Sequence, residues 1–316
     1  MRHQETIPGT NKKNLKRGTA NWPGTKRSKT YTIVMKIAVT AANGQLGSSV
    51  VNELKKQIGK QNVIGIVRSP KKAAHLGIEV RKGDYNSPGD FSSALKGMDR
   101  VLLISGMDDP QKRIQQHRNV IEAAKTNGVK KIVYTSIVGD EEKNAFSPVV
   151  QSNRLSEEDV KNSGLDWSIG RNGIYIEPDL EYIDTYKKEG EIRNCAGDGK
   201  CAYTSRSELG YAYAKMLIQD IHNNKTYNLL GEPISQKELA ELINQVYNTQ
   251  LVFNPISVDE YAKERKQELG EFIGGVIAGI YKGINDGVYS IHSDYEKAAG
   301  RPYKSPIEMI KSFKNK

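Results

Sequence analysis

Short apolar runs alternate with helical stretches from residue 35 to about residue 172. The runs are rich in Val and Ile and nearly continuous, and the segments between them have helical periodicity. The predicted strands span 36–41, 62–67, 78–82, 100–105, 130–135 and 166–171, and the predicted helices span 46–57, 70–75, 88–96, 110–127 and 148–163. Strands of this kind are buried on both faces, so the pattern predicts an α/β fold, a Rossmann-like doubly wound parallel sheet.

The regular alternation of predicted strands and helices ends after residue 172. We therefore predict a Rossmann domain over 35–172 and a smaller C-terminal α/β lobe over 173–316 that binds substrate. Open α/β sheets bind ligands at the carboxyl ends of their strands, and the second lobe is expected above them. The pattern leaves open whether strand segments of this lobe return to the first domain. Ser235 and Glu238 form a capping-box pattern at the start of a helix.

The positive charge is concentrated in the first 34 residues. Of the net charge of +10, these residues carry +7, from eight Lys or Arg and one acid. With Pro8, Pro23 and few apolar residues, the segment is predicted to be a disordered basic extension, and Met35 directly before the first strand is an alternative start. A basic arm that binds nucleic acid or anionic lipid is the other interpretation, but a nucleic-acid partner is not expected.

The cysteine content favours a reducing compartment. Cys195 and Cys201 are too few for a disulfide framework, and no histidines stand near them to complete a zinc site. No run approaches the roughly 18 apolar residues of a membrane span. The chain is therefore expected in the cytoplasm, without a metal, and the sequence leaves open whether it forms a homodimer.

A glycine turn follows the first predicted strand. The segment reads Ala41-Ala-Asn43-Gly44-Gln45-Leu46-Gly47, in the strand–turn–helix context of a dinucleotide site. Gly44 allows close backbone approach and Gly47 allows the helix to pack on its strand, so a pyrophosphate is expected at the helix N-terminus. Ala41 stands where such turns usually carry their first glycine. Alanine fits there if the backbone is extended, whereas a positive φ would strain it.

The end of the second strand predicts which nucleotide binds. Arg68 lies 21 residues after Gly47, and no Asp or Glu stands at this strand end. A carboxylate there would bind the ribose of NAD, whereas an arginine accommodates the 2′-phosphate of NADP. We therefore predict NADPH as the cofactor, with a solvated basic turn as the alternative.

Further candidates stand at the carboxyl ends of the fourth and fifth strands. At the fourth, Ser105, Gly106 and Met107 can let the backbone approach the cofactor, and at the fifth, Thr135 and Ser136 offer hydroxyls. Turn-forming preferences explain these residues equally well. Arg113 and Arg118 in the following helix are interpreted as a solvated face, and His75 and His117 as surface or packing residues.

Together, five motifs resemble the NmrA-like, atypical short-chain dehydrogenase/reductases, and most of all the bacterial NAD(P)H:quinone oxidoreductases. The motifs are "VTAANGQLG", "IVRSPKK", "LLIS…QHRNVIEAAK…GVKKIVYTS", "SGLDWSIGRNGIY" and "AGDGKCAYTSRSELGYAYAKML". The resemblance covers nearly all of 35–316. It implies phosphate contacts from Asn43 to Leu46 and from Arg68, contacts along the cofactor from Ser105–Met107 and Asn172, and contributions from Arg206 and Glu208.

The chain lacks the Tyr-x-x-x-Lys pair of typical short-chain dehydrogenases, whose places hold Val149 and Asn153. A literal match, Tyr211 to Lys215, lies in the second lobe and is interpreted as helix surface. Reduction of a ketone needs a positioned acid, but a quinone yields a phenol-like anion with a pKa of about 10. Neutral donors can hold such an anion, and the candidates are Asn172, Tyr175 and Ser136.

These observations predict an NADPH-dependent oxidoreductase that transfers hydride to a small quinone-like acceptor. The alternative is a non-catalytic sensor that binds NADP(H) and regulates a protein partner.

Overall fold

Parallel strands form the centre of the computed structural model, which describes residues 35–315. The strands are β1 (Ile37–Thr40), β2 (Val63–Val67), β3 (Glu79–Lys82), β4 (Arg100–Ile104), β5 (Lys131–Ile137), β6 (Asp166–Asn172), β7 (Glu191–Asn194), β8 (Lys200–Ala202), β9 (Lys225–Leu229), β10 (Pro233–Ser235) and β11 (Val252–Pro255). Seven of them make one parallel sheet in the order β3-β2-β1-β4-β5-β6-β9. The doubly wound fold and the six predicted strands are confirmed, and the predictions for residues 1–34 lie outside the described residues.

Helices cover both faces of this sheet. The α-helices of residues 35–315, including those that pack away from the sheet, are α1 (Gln45–Ile58), α2 (Pro88–Ala94), α3 (Pro110–Thr126), α4 (Ser147–Lys161), α5 (Glu177–Glu181), α6 (Ile183–Glu189), α7 (Arg206–Ile218), α8 (Gln236–Tyr247), α9 (Val258–Leu269), α10 (Glu271–Asn285), α11 (Tyr295–Ala299) and α12 (Pro306–Lys314). The predicted helix over 70–75 is a 3₁₀ helix, Pro70–Leu76. Among residues 35–315, no helix is long and apolar enough to cross a membrane.

The two faces of the sheet have separate apolar cores. Val39, Leu102 and Val133 pack with α1 and α7, whereas Ala38 and Leu103 pack with α2, α3 and α4. This division follows from strand geometry, because successive side chains point to opposite faces. For the following sections, these are the α1/α7 face and the α3/α4 face.

Part of the chain beyond residue 173 returns to the sheet. β9 extends the sheet beside β6, and α7 packs against α1, with Gly210 lying directly against Ser49. The boundary at residue 172 stays a prediction. The remaining C-terminal elements enclose another core, which includes Ile192, Tyr203 and Leu239.

Two local features of this C-terminal part bear on the sequence predictions. The capping box is confirmed, since the Ser235 side chain accepts from the Glu238 N–H and the Glu238 side chain accepts from the Ser235 N–H. Cys195 and Cys201 are both buried free thiols.

Candidate functional site

The turn between β1 and α1 is tight, and Ala41 has a left-handed backbone with φ of +47°. The condition under which alanine fits without strain, an extended backbone, is therefore not met. The Ala41 carbonyl accepts a hydrogen bond from the Gly44 N–H at 2.9 Å, which closes the turn. A Cβ on Gly47 would overlap the Ala41 carbonyl oxygen and lie 2.8 Å from Ala42 Cα. Only glycine at position 47 lets α1 pack this closely on the turn.

The N-terminus of α1 can receive an anion. Its N-cap, Gly44, supplies no side-chain hydrogen bond, and the first turn contains no acidic residue. Asn43, Gly44 and Gln45 are exposed, while Leu46 and Gly47 are buried against the fold. The first N–H groups of a helix have no intrahelical acceptor and lie at the positive end of the helix dipole. These residues therefore fit the pyrophosphate of a dinucleotide.

Arg68 stands exposed at the carboxyl end of β2. Among residues 35–315, none accepts a hydrogen bond or forms an ion pair with its guanidinium. The Asp108 carboxylate accepts from the Asp109 N–H and from Gln116, which lower its pKa, and the charges of Lys112 and Arg68 lower it further. Arg68 thus lies at the same edge as the loop after β4 and is free to bind a ligand phosphate.

Two buried side chains accept hydrogen bonds from the loop after β4. The Ser105 N–H donates to Thr135 Oγ1 at 2.9 Å, and the Gly106 N–H donates to His117 Nε2 at 3.3 Å. Thr135 and His117 are buried, whereas the Met107 side chain is 97% exposed. Thr135 therefore supports the loop after β4, and His117 is a packing residue that accepts a hydrogen bond from the same loop.

Asn172 and Tyr175 are brought together on the α1/α7 face. Asn172 Nδ2 donates to the Tyr175 hydroxyl at 3.2 Å, and Asn172 Oδ1 accepts from the Tyr213 hydroxyl at 2.6 Å. Burial raises the pKa of Tyr175 to about 12, while the Asn172 hydrogen bond opposes the rise. Tyr175 is therefore neutral near pH 7. Because its oxygen accepts from Asn172, its own proton can be donated to a ligand.

Arg206 completes this cluster, whereas Glu208 does not join it. The Arg206 guanidinium lies 5.3 Å from the centre of the Tyr175 ring and pairs with Glu181 at 3.3 Å. The Glu208 carboxylate accepts two hydrogen bonds from Arg301, at 2.6 and 2.9 Å. Arg206 thus lies beside the predicted donors, and Glu208 anchors the segment after α11 to α7.

Ser136 is placed apart from Asn172 and Tyr175. It points to the α3/α4 face, where its hydroxyl donates to Glu157 Oε1 at 2.6 Å. Arg154 and Arg171 also donate to the buried Glu157 carboxylate, and they hold its pKa below the usual range against the effect of burial. The structure therefore does not bring the three predicted catalytic residues into one cluster.

The places of the absent Tyr-x-x-x-Lys pair lie on α4. Asn153 is fully buried, accepts from the Tyr134 hydroxyl at 2.8 Å and donates to the Val149 carbonyl. The literal match lies instead on α7, where Tyr211 is half-buried beneath the Arg301 guanidinium at 4.3 Å.

One residue that the sequence predictions missed contributes here, and a second residue is placed differently from the prediction. Tyr213 fixes the Asn172 amide, and its signal was its position on the buried side of α7 between Leu209 and Met216. Arg113 was expected on a solvated face, but it is only 4% exposed, so that prediction was wrong. Arg118 is exposed and pairs with Asp159, as expected for a solvated residue.

Comparisons with known proteins agree with this fold. Residues 41–199 match the model of an NAD(P)H-binding family. The chain is 32% identical to quinone oxidoreductase 2 of Escherichia coli, over 88% of this chain and 99% of that protein. It is 31% identical to an NmrA-like family domain-containing oxidoreductase of Aspergillus flavus, over 72% of this chain and 76% of that protein. The structure of Citrobacter sp. triphenylmethane reductase complexed with NADP(H) superposes with a TM-score of 0.81, at 32% identity over 89% of this chain and 99% of that one.

Proposed function

Since the chain belongs to the NmrA-like family of NAD(P)H-binding oxidoreductases, we propose that it transfers hydride from NADPH to a small quinone-like acceptor. The observation that carries this proposal is the Tyr175 hydroxyl, whose oxygen accepts from Asn172 and whose proton is available to a ligand. The names of two relatives, a quinone oxidoreductase and a reductase complexed with NADP(H), support the same chemistry. The two free, buried thiols fit the reducing cytoplasm, where we place the reaction.

The turn and the β2 tip would hold the cofactor. The N-terminus of α1 receives the pyrophosphate, and Gly47 is needed for this approach because a larger residue would overlap Ala41. Arg68 binds the 2′-phosphate that distinguishes NADPH from NADH, through the planar donors of its guanidinium. When bound, NADPH supplies a hydride, so that the acceptor gains two electrons and one hydrogen, and water provides the second proton.

The donors beside β6 would hold the acceptor. Tyr213 and Asn172 form a fixed chain of hydrogen bonds that ends at Tyr175, and Tyr175 stays neutral because its pKa is raised to about 12. A neutral donor stabilises the developing phenolate oxygen without transferring its own proton. The phenolate of the reduced quinone is a weak base and can take its proton from water. A Tyr-x-x-x-Lys pair is therefore not required as a proton donor.

The experiment that tests this proposal follows the absorbance of reduced nicotinamide with a panel of benzoquinones and naphthoquinones. We expect oxidation of NADPH that depends on the quinone and is faster than oxidation of NADH. If NADPH binds but its absorbance stays constant with every acceptor, the reductase proposal fails. In that case a sensor that reads the NADP(H) state for a protein partner becomes the better interpretation.

A further inference from the structure

Arg113 is a buried cation without a partner. Its side chain is 4% exposed, and its Nε has no hydrogen-bond acceptor. Within residues 35–315, no group accepts a hydrogen bond from any nitrogen of this guanidinium, and no carboxylate pairs with it. Lys131 provides the contrast, because it is buried to 1% exposure but donates to the Gln219 carbonyl at 2.9 Å.

A buried arginine stays charged, because its guanidinium is not deprotonated in proteins. Burial lowers the pKa of Arg113, but from a value so high that the charge remains. An isolated buried charge is strongly destabilising unless another group compensates it. A guanidinium that has no acceptor within residues 35–315, and whose Nε is fully enclosed, therefore points to an acceptor that arrives with a ligand.

The position of Arg113 is next to the candidate site. It lies in the first turn of α3, four residues after Asp109, whose side chain caps that helix by accepting from the Gln111 N–H. The preceding segment is the loop of Ser105, Gly106 and Met107, at the carboxyl edge of the sheet. The Asp109 carboxylate already caps the positive end of the α3 dipole, whereas the guanidinium of Arg113 is a charge at this corner that lacks a partner.

The neighbours of Arg113 are neutral. His117 has a pKa lowered to about 3, by burial and by the charge of Arg113. Because His117 Nε2 accepts from Gly106, its Nδ1–H donates to Ser156, whose hydroxyl donates to the Ser152 carbonyl. Tyr134 lies close enough to interact electrostatically with Arg113, but its hydroxyl donates to Asn153. These groups provide no negative charge for Arg113.

The same neighbours relate Arg113 to the missing lysine. Asn153 occupies the place of the lysine in the Tyr-x-x-x-Lys pattern, and it shares Tyr134 with Arg113, one as hydrogen-bond partner and the other through its charge. The positive charge of Arg113 thus lies near Asn153, but Arg113 belongs to α3, whereas the lysine of the Tyr-x-x-x-Lys pattern would belong to α4.

We propose that Arg113 is an oxyanion-binding residue, whose guanidinium is completed by an anionic oxygen of a ligand bound at the carboxyl edge of the sheet. This inference rests on the proposed function, because the proposed cofactor and the proposed acceptor are the two sources of such an oxygen. One source is a phosphate of the dinucleotide, and the other is the phenolate oxygen of the reduced acceptor.

The test compares Arg113→Gln and Arg113→Lys with the matched control Arg118→Gln, which changes an exposed arginine on the same helix. Melting temperature without ligand is measured first. Because the wild-type charge is uncompensated, we expect Arg113→Gln to be as stable as the control or more stable. A clear loss of ligand-free stability in both Arg113 variants would show a structural role and overturn the proposal.

Binding then identifies the source of the oxyanion. NADPH and inorganic pyrophosphate are titrated by protein fluorescence, and 4-nitrophenolate is titrated by absorbance with NADP⁺ present. If the source is the cofactor, Arg113→Gln raises the Kd of NADPH and of pyrophosphate about 10- to 100-fold. If the source is the reduced acceptor, those constants stay fixed, while the Kd of 4-nitrophenolate rises and kcat with a quinone falls by a similar factor. In both cases Arg113→Lys should raise the Kd less than Arg113→Gln does, because lysine keeps the positive charge.

The result that overturns the inference is agreement of Arg113→Gln with Arg118→Gln in all three binding constants. This outcome is separate from failure of the proposed function. If wild-type protein does not oxidise NADPH with any quinone, the reductase proposal fails, but the three titrations still show whether Arg113 binds an oxyanion.

Discussion

Ala41→Gly should stabilise the protein, although it replaces alanine with the more flexible residue. The left-handed backbone of Ala41, with φ of +47°, costs an L-residue about 1–2 kcal/mol. Glycine adopts this conformation freely, but it loses more backbone entropy on folding, which offsets about 0.5–1 kcal/mol. The expected net change is a free energy of unfolding higher by about 0.5–1 kcal/mol.

Ala42→Gly is the matched control. Ala42 is the next residue, fully buried, and its φ is not positive. Glycine there costs about 0.5–1 kcal/mol of backbone entropy and about 0.8 kcal/mol for the lost buried methyl group. The two substitutions remove the same atoms, yet the unfolding free energies of the variants should differ by about 2 kcal/mol.

Urea unfolding followed by far-ultraviolet circular dichroism measures this difference, with equal m-values as the check that the two variants unfold alike. The reasoning is refuted if Ala41→Gly lowers stability as much as Ala42→Gly does. The Kd of NADPH should change little, because the hydrogen bond from Gly44 to Ala41 closes the turn without a ligand and the strain is then present in both states.

Four further predictions concern the site. Arg68→Ala should raise the Kd of NADPH about 10- to 100-fold and leave that of NADH nearly unchanged in fluorescence titrations, and equal losses would contradict its phosphate role. Tyr175→Phe should lower kcat with quinones about 100-fold at unchanged NADPH affinity, and steady-state rates equal to wild type would exclude it as the donor. Tyr211→Phe should keep wild-type turnover, so a large loss of kcat would show that the literal Tyr-x-x-x-Lys match is catalytic. Burial lowers the pKa of His117 to about 3, so below pH 6.5 the folded state binds fewer protons than the unfolded state, and the free energy of unfolding falls as the pH is lowered from about 6.5 toward 3. The urea midpoint should therefore fall less over this range in His117→Gln than in the wild type. Equal falls in the two proteins would refute the assignment.

The strands of the sheet were predictable because their signal is strong. β1, β2, β4 and β5 are buried on both faces, so the sequence must be largely apolar there. β9 was not predicted, because its sequence Lys-Thr-Tyr-Asn-Leu is mostly polar and its pairing with β6 depends on the rest of the fold.

The candidate site was predictable only where chemistry requires a special residue type. Gly47 could be assigned because close packing on Ala41 excludes any other residue, and this constraint appears directly in the sequence. The burial of Arg113 has no such signal, since a charged residue on a helix is usually solvated. Ser136 shows a different limit: it stands at the correct strand end, but the strand alternation turns it toward Glu157 and away from Asn172.

The two faces of the sheet also explain which acceptors this site can serve. On the α3/α4 face, where other members of the superfamily carry their tyrosine and lysine, Glu157 is paired with two arginines and Asn153 is bound to Tyr134. Among the described residues of this face, both of these side chains are already paired, so we expect simple ketones to be reduced more slowly than quinones. The donor on the α1/α7 face, Tyr175, is neutral and has a pKa raised to about 12. It can stabilise an oxyanion whose conjugate acid is a phenol, because such an anion survives until water protonates it. Reduction of a quinone, but not of a simple ketone of similar size, would support this division. Equal rates of reduction would require a proton donor elsewhere in the chain.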